Sequence, residues 1–260
     1  LHAQHLELGL LVGQSAYTGD LSSDQPTPAF QEWHIAYGAF ATLKLNDFLG
    51  LRLSASQGKI SGNDANRIAT YHRNLHFESR LWDFSLVGQL GLPFQRLFPK
   101  GPDAELYFFG GIGLYHFNPK AQYNGAWIEL APLATEMQDR YGAKKSYDLT
   151  QWSIPFGLGF KVPLCRELAV GLEFAPRRVF TDYLDDVSGY YPNEEMLAAY
   201  ENGQMVRELS YRGESDGEHF PAGMARGNDS KRDGFWLGGI TLTYRPFYRS
   251  GHRKVRCPRF

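Results

Sequence analysis

The feature that most constrains this chain is a period-2 alternation of apolar residues with small or ionisable ones. It recurs in about eight segments of the length a tilted strand needs to cross a bilayer, about 9–11 residues. Residues 5–16 place Leu6, Leu8, Leu10 and Val12 on one face and Glu7, Gly9 and Gly13 on the other. Residues 32–44 set Trp33, Ile35, Tyr37, Ala39, Ala41 and Leu43 against His34, Ala36, Gly38, Thr42 and Lys44, and residues 48–58 set Leu49, Leu51 and Leu53 against Arg52, Ser54 and Ser56. Residues 75–92 alternate Trp82, Phe84, Leu86 and Leu90 with Asp83, Ser85 and Gln89. Residues 104–118 are apolar on both faces, so this segment leaves its phase open. Residues 150–162, 167–179 and 233–247 complete the set, with Trp152, Phe156, Phe160, Leu172, Phe174, Trp236, Ile240 and Leu242 on their apolar faces.

A soluble sandwich shows the same alternation, so the opposite face has to separate the two. It carries glycines together with Glu7, Arg52, Asp83, Lys161 and Glu173, which are of mixed sign. A barrel of about eight strands has a lumen narrow enough to be filled by side chains. Small residues and paired charges suit that space, whereas a solvated face would hold many more Lys and Glu. The expected fold is therefore all-β: a closed antiparallel transmembrane barrel of about eight strands.

The connections sharpen this. Leu45-Asn46-Asp47, a medium turn containing Pro93, Pro99, Lys100, Gly101 and Pro102, and Pro163-Leu164-Cys165-Arg166 are the shorter ones. Residues 17–31, 59–74, 119–149 and 181–232 form the long ones, and the two kinds alternate along the chain. Bacterial outer-membrane barrels alternate short periplasmic turns with long extracellular loops in this way. Trp33, Trp82, Trp152 and Trp236 fall on the outward face near the starts of strands two, four, six and eight. That common rim is where an aromatic girdle meets a membrane interface, with the ring in lipid and the indole N–H in water.

Composition agrees and excludes other classes. The chain has 18 Phe, 15 Tyr, 5 Trp and 28 Gly, an aromatic and glycine excess that fits a barrel. A net charge of −1 gives no basic field for nucleic acid. No run of about 18 apolar residues is present, which excludes an ordinary transmembrane helix and says nothing against a barrel. Leu1-His2-Ala3-Gln4 reads as the scar of signal-peptide cleavage, placing residues 1–248 in the barrel and 249–260 in a tail.

No motif for nucleophilic catalysis, phosphate binding or zinc stands out, so no catalytic residue, metal or cofactor is expected. His72 and His76 stand at helical spacing in what reads as loop or strand. The acidic run from Thr181 through Asp182 and Asp185 to Asp186 leaves two readings open. One is a cation held by carboxylates; the other is a loop-ordering cluster with Arg177, Arg178 or Lys120 as counter-charge. The orientation puts Cys165 in a periplasmic turn and Cys257 in the tail on the same side, in a compartment that permits disulfides, which leaves open a bridge between the two, a bridge from one to a partner, or two independent free thiols. The tail is basic through Arg249, Arg253, Lys254, Arg256 and Arg259 and ends on Phe260, which suits a solvated segment or docking to a periplasmic partner.

Four stretches carry a family resemblance: GLLVGQSAYTGDL, GLYHFNPKAQYNGAWIELAPL, TDYLDDVSGYY and KVRCPRF. They resemble the PorG-like outer-membrane β-barrels of the Bacteroidetes type IX secretion system, from strand one to the last residue apart from residues 194–231. The resemblance implies a protein-transport component that ties a periplasmic ring of PorK-like lipoprotein and PorN-like subunits to the outer membrane. It further implies a disulfide to the PorK-like lipoprotein, with Cys257 and Cys165 as the two candidates and Cys257 favoured by the reach of a tail. Two other classes are weighed beside it. A lipid-modifying barrel enzyme needs a Ser/His-type pair facing the bilayer, and none is seen on the outward faces. An uptake barrel for a small hydrophobic ligand needs an open lumen or a side exit, and a general structural barrel is the remaining alternative.

Overall fold

The computed structural model describes residues 5–22, 32–67, 70–98, 102–137, 147–213, 219–228 and 232–246. Nine strands follow in order: β1 (His5–Thr18), β2 (His34–Lys44), β3 (Leu49–Asn63), β4 (His76–Pro93), β5 (Glu105–Tyr123), β6 (Ala126–Glu129), β7 (Thr150–Pro163), β8 (Leu168–Val179) and β9 (Gly234–Tyr244). All pairings are antiparallel. Strand β1 pairs with both β2 and β9, and β4 pairs with β5, so eight strands close on themselves and no barrel edge is left unpaired.

The ninth strand, β6, stands outside the barrel and folds back on the far end of β5. Asn124 and Gly125 connect them with φ of 48° and 79°, the left-handed pair that a two-residue hairpin turn requires. The doubtful phase of β5 is now fixed: Tyr107, Phe109, Tyr115 and Phe117 are buried, while Phe108, Ile112 and Leu114 face outward.

The barrel is inverted relative to a soluble fold. Outward residues are large and apolar, with Val12 62% and Ile35 76% exposed, and the belt continues through Leu53, Phe84, Phe156, Leu172 and Ile240. Inward residues include charges, with Asp83 only 1% and Glu7 3% exposed. An apolar girdle around a whole barrel far exceeds the few hundred Å² a soluble monomer leaves exposed. Lipid is the solvent that such a wall fits, and closure satisfies the backbone that lipid cannot.

β5 is 19 residues long, roughly 60 Å of strand at ~3.4 Å per residue. Tilted by the usual ~40°, it overshoots a ~30 Å hydrocarbon core. The far ends of β3, β4 and β5 therefore project beyond the belt on the side of the long connections. Two prolines interrupt the ladder in the wall. Pairing of β7 skips from Gly110↔Phe156 to Gly113↔Ser153 on one side, and from Pro155↔Arg177 to Leu158↔Phe174 on the other. Pro155 and Pro176 have no N–H to give at those positions.

The connections fold too. Two short helices, α2 (Glu194–Ala198) and α3 (Gly203–Ser210), lie in the longest connection, and α1 (Phe94–Leu97) lies between β4 and β5. One apolar core fills the barrel mouth with Tyr17, Ile60, Phe77, Tyr115, Phe117 and Leu184. A second core, around Met137, Tyr191, Val206, Tyr211 and Phe220, packs the cap above it.

Candidate functional site

The lumen is filled in layers. At the level of the short turns, Lys161 Nζ lies 2.9 Å from Glu7 and 3.2 Å from Glu105, Arg245 Nε lies 3.2 Å from Glu7, and Lys44 pairs with Glu105. In the middle, Arg52 donates to both oxygens of Glu173, at 2.6 and 3.1 Å, and the Tyr107 hydroxyl donates to the same carboxylate at 2.8 Å. Above that, Arg177 donates to Asp83 at 2.9 Å. Glycines make room for the large rings: a Cβ at Gly9 would sit 2.1 Å from the Phe40 ring, and one at Gly159 would sit 2.2 Å from Tyr107. The cavity left between Phe40, Arg52, Phe109 and Arg177 is about 10 Å³, room for one water at most.

Beneath the cap, the Tyr17 hydroxyl lies 2.7 Å from Asp185 and 2.7 Å from Asp233. A phenol has one hydrogen, so it donates to one carboxylate and accepts from the other only if that other is protonated. Burial pushes the Asp185 carboxyl up to about 8. Burial, followed by the charge of Asp185, raises Asp233 as well. Asp186 turns away from this pair and accepts from Thr135 and, at 2.6 Å, from Tyr147. Burial lifts its carboxyl to about 6 despite the nearby Arg226.

Arg226 is the hub of the cap. Its guanidinium donates to Thr135, Glu136 and the Asp186 carbonyl, and it lies 3.8 Å from the Asp186 carboxylate. Glu136 in turn accepts from the backbone N–H groups of Ser188 and Gly189, both at 2.9 Å. Arg73 binds Asp64 through Nε and Nη2 and reaches the Arg226 carbonyl through Nη1. Asp185 and Asp186 are thus part of a loop-ordering network, and the counter-charge of Asp186 is Arg226. The proposed counter-charges are engaged elsewhere or face away: Arg177 points inward to Asp83, Lys120 pairs with Glu129, and Arg178 faces outward. Sequence reasoning missed Arg226 because its partners lie 40 and 90 or more residues away in irregular chain. The β5–β6 hairpin did carry a signal, the Asn124-Gly125 dipeptide.

At the opposite rim, β1 begins and β9 ends, so both ends of the barrel's chain leave from the side of the short turns. The Arg245 N–H donates to the Glu167 carbonyl at 2.7 Å. This brings the start of the tail to the turn that holds Cys165, which is buried and is not a free thiol. Cys257, Arg253, Lys254, Arg256, Arg259 and Phe260 lie outside the described residues, as does Arg249.

Glu7, Arg52, Asp83, Lys161 and Glu173 are all buried inside the barrel. Trp82 and Trp152 stand out from the wall, whereas Trp33 and Trp236 are half-buried because they meet edge to face at 5.3 Å. His72 sits in a 3-10 turn and His76 opens β4. Among the described residues, no group of three or more His, Cys, Asp and Glu is placed to hold a metal ion.

The sequence family described as a domain of unknown function (DUF6089) matches residues 1–212. No curated protein matches the chain. Among solved structures, Neisserial surface protein A is similar at 6% identity and a TM-score of 0.46, covering 92% of this chain and 96% of that one. Ail of Yersinia pestis is similar at 8% identity and 0.43, covering 94% and 99%. OprG from Pseudomonas aeruginosa is similar at 9% identity and 0.42, covering 95% and 99%.

Proposed function

The chain belongs to the DUF6089 family, a domain of unknown function, and from that premise and its own geometry we propose that it is a non-enzymatic outer-membrane anchor. The observation that carries this reading is the filled lumen. At mid-lumen, ion pairs and rings leave a cavity of about 10 Å³ between Phe40, Arg52, Phe109 and Arg177, room for one water at most. A barrel that transports nothing through itself acts through its rims. The short-turn rim gathers both ends of the barrel, the Cys165 turn and the base of the tail.

The finer reading follows the resemblance to PorG-like barrels. Residues 1–248 form the membrane part, with the chain ends in the periplasm, and residues 249–260 form a basic periplasmic tail. There the tail engages a PorK-like lipoprotein and, with it, the PorN-like ring of a type IX secretion system. Arg253, Lys254, Arg256 and Arg259 supply charge, Phe260 an apolar anchor, and Cys257 the sulfur of the disulfide, which a lipoprotein thiolate forms by exchange with release of the Cys165 thiolate. Trp33, Trp82, Trp152 and Trp236 mark the outer interface.

Non-reducing gels of membranes from Cys165→Ser and Cys257→Ser strains test the covalent part. A cross-linked band that survives Cys165→Ser and disappears with Cys257→Ser supports the assignment; the reverse pattern reassigns the link to Cys165. Retention of ring subunits after deletion of residues 249–260 would remove the tail from the docking surface.

A further inference from the structure

The outward face of the barrel has a gap where β8, β9 and β1 meet. Outward positions along β9 run Trp236, Gly238, Ile240, and Gly238 has no side chain to fill its place in the belt. Its cross-strand partners are Gln14 on β1 and Phe174 on β8. A Cβ built on Gly238 would come within 3.4 Å of the Phe174 ring and 3.5 Å of the Trp236 ring, so both rings lean over the gap. The resulting groove, about 660 Å³, is walled by Trp33, Trp236, Phe174, Leu172, Leu158 and Phe160.

Two further features of this face are not those of a plain lipid-facing wall. Gln14 follows Leu8, Leu10 and Val12 in the outward row of β1, is exposed, and makes no hydrogen bond among the described residues. An amide in that setting is costly unless something in the membrane completes it. Toward the rim, Arg178 is paired in register with Gly234, two residues above Trp236, and is exposed. Arg232, two residues before Gly234, is also exposed, with its guanidinium 5.9 Å from the Phe180 ring. Neither arginine has an acidic partner among the described residues. From rim to midplane the face therefore reads two cations, two tryptophans, one amide, then an apolar trough.

We propose that this groove seats one phosphorylated, acyl-amide glycolipid of the outer leaflet, with its phosphates on Arg178 and Arg232 and an amide-linked hydroxyacyl chain lying over Gly238 against Gln14. The charge order selects an anion at the rim and a hydrocarbon below it. The amide selects further within that class. Gln14 both donates and accepts, and an amide-linked hydroxyacyl group returns N–H, O–H and C=O to it. The acyl esters of a glycerophospholipid offer acceptors alone and leave the Gln14 carbonyl without a donor. The proposal rests on the long-connection rim facing outward, part of the reading above, but it needs no periplasmic partner. Failure of ring co-purification leaves it standing, and its own failure leaves the anchor standing.

The test is native mass spectrometry of the intact chain released from mild detergent after incubation with bisphosphorylated lipid A, with the dephosphorylated form, or with phosphatidylglycerol. The expected result is one retained bisphosphorylated lipid A, at least tenfold over either alternative. Arg178→Gln with Arg232→Gln is expected to lower retention at least tenfold, and Gly238→Leu to abolish it by filling the trough. The two arginines are exposed, so the double variant tests the site even where Gly238→Leu does not fold. Equal retention of dephosphorylated lipid A or phosphatidylglycerol overturns the proposal, as does unchanged retention in the double arginine variant.

Discussion

Arg52 of β3 and Glu173 of β8 stand on opposite walls of the barrel and meet across its axis through two N–H···O contacts of 2.6 and 3.1 Å. The Phe40 ring lies 3.7 Å from the guanidinium carbon, and Tyr107 donates to the same carboxylate. Both charged side chains are about 95% buried. Removing one partner strands the other, at a cost of about 3–5 kcal/mol for a pair this buried. Arg52→Met is therefore expected to lower the unfolding free energy of the barrel, read from urea titration in micelles, by that amount, while Arg52→Met with Glu173→Leu recovers most of it. A double variant no better than the single one would show that the pair does not act as a unit.

The same layer closes the lumen. Planar-bilayer recordings of the wild-type protein are expected to show no conductance steps, because the residual cavity is about 10 Å³. Reproducible steps would show that the ion-pair layers open in the membrane.

The Asp185–Tyr17–Asp233 contact makes the cap sensitive to pH in a defined direction. Asp185 titrates near 3.8 without its surroundings and at about 8 when buried in the cap. Between those values the folded cap holds a proton that the unfolded chain has released, so stability falls as pH rises and levels off above about 8. The slope is at most ~1.4 kcal/mol per pH unit for each such group. Asp186, raised to about 6, adds a second loss in the lower part of that range. Hydrogen exchange of the Leu184 and Val187 amides, which donate to Asp233 and Asp185, is expected to be faster at pH ~8.5 than at pH ~5 once intrinsic rates are divided out. Asp185→Asn should flatten that dependence; an unchanged profile in the variant would assign the effect elsewhere.

Arg226→Met leaves Glu136 and Asp186 buried beside each other without their cation. Limited proteolysis is expected to cut the long connections while the barrel keeps its heat-modifiable gel mobility, since the lumen pairs do not involve Arg226. Loss of the barrel together with the cap would show that the two do not fold as separable units.

How much of this was legible in the sequence follows from the range of each interaction. Inward and outward faces along β1, β2, β3, β4 and β9 follow from a period of two, so Glu7 and Arg52 could be placed inside from their neighbours alone. Which charge meets which could not, because Arg52 and Glu173 are 121 residues apart and register around a closed barrel has no local signal. The phase of β5 was hidden because Tyr107, Phe109, Tyr115 and Phe117 fill the lumen with rings rather than charges. In the cap, Asp186 was visible as one of an acidic run, but Arg226 sat in an irregular stretch with no periodicity to mark it. The β5–β6 turn was readable at Asn124-Gly125 and was masked by reading all of residues 119–149 as loop.

An anchor for a machine on its short-turn side is the role proposed for the membrane barrel. It is tested most directly by solubilising membranes in mild detergent, capturing the full chain, and identifying what stays bound. A lipoprotein and its ring partner are expected in fixed ratio, both lost when residues 249–260 are removed. Recovery of the barrel alone from membranes that contain the intact ring would contradict it.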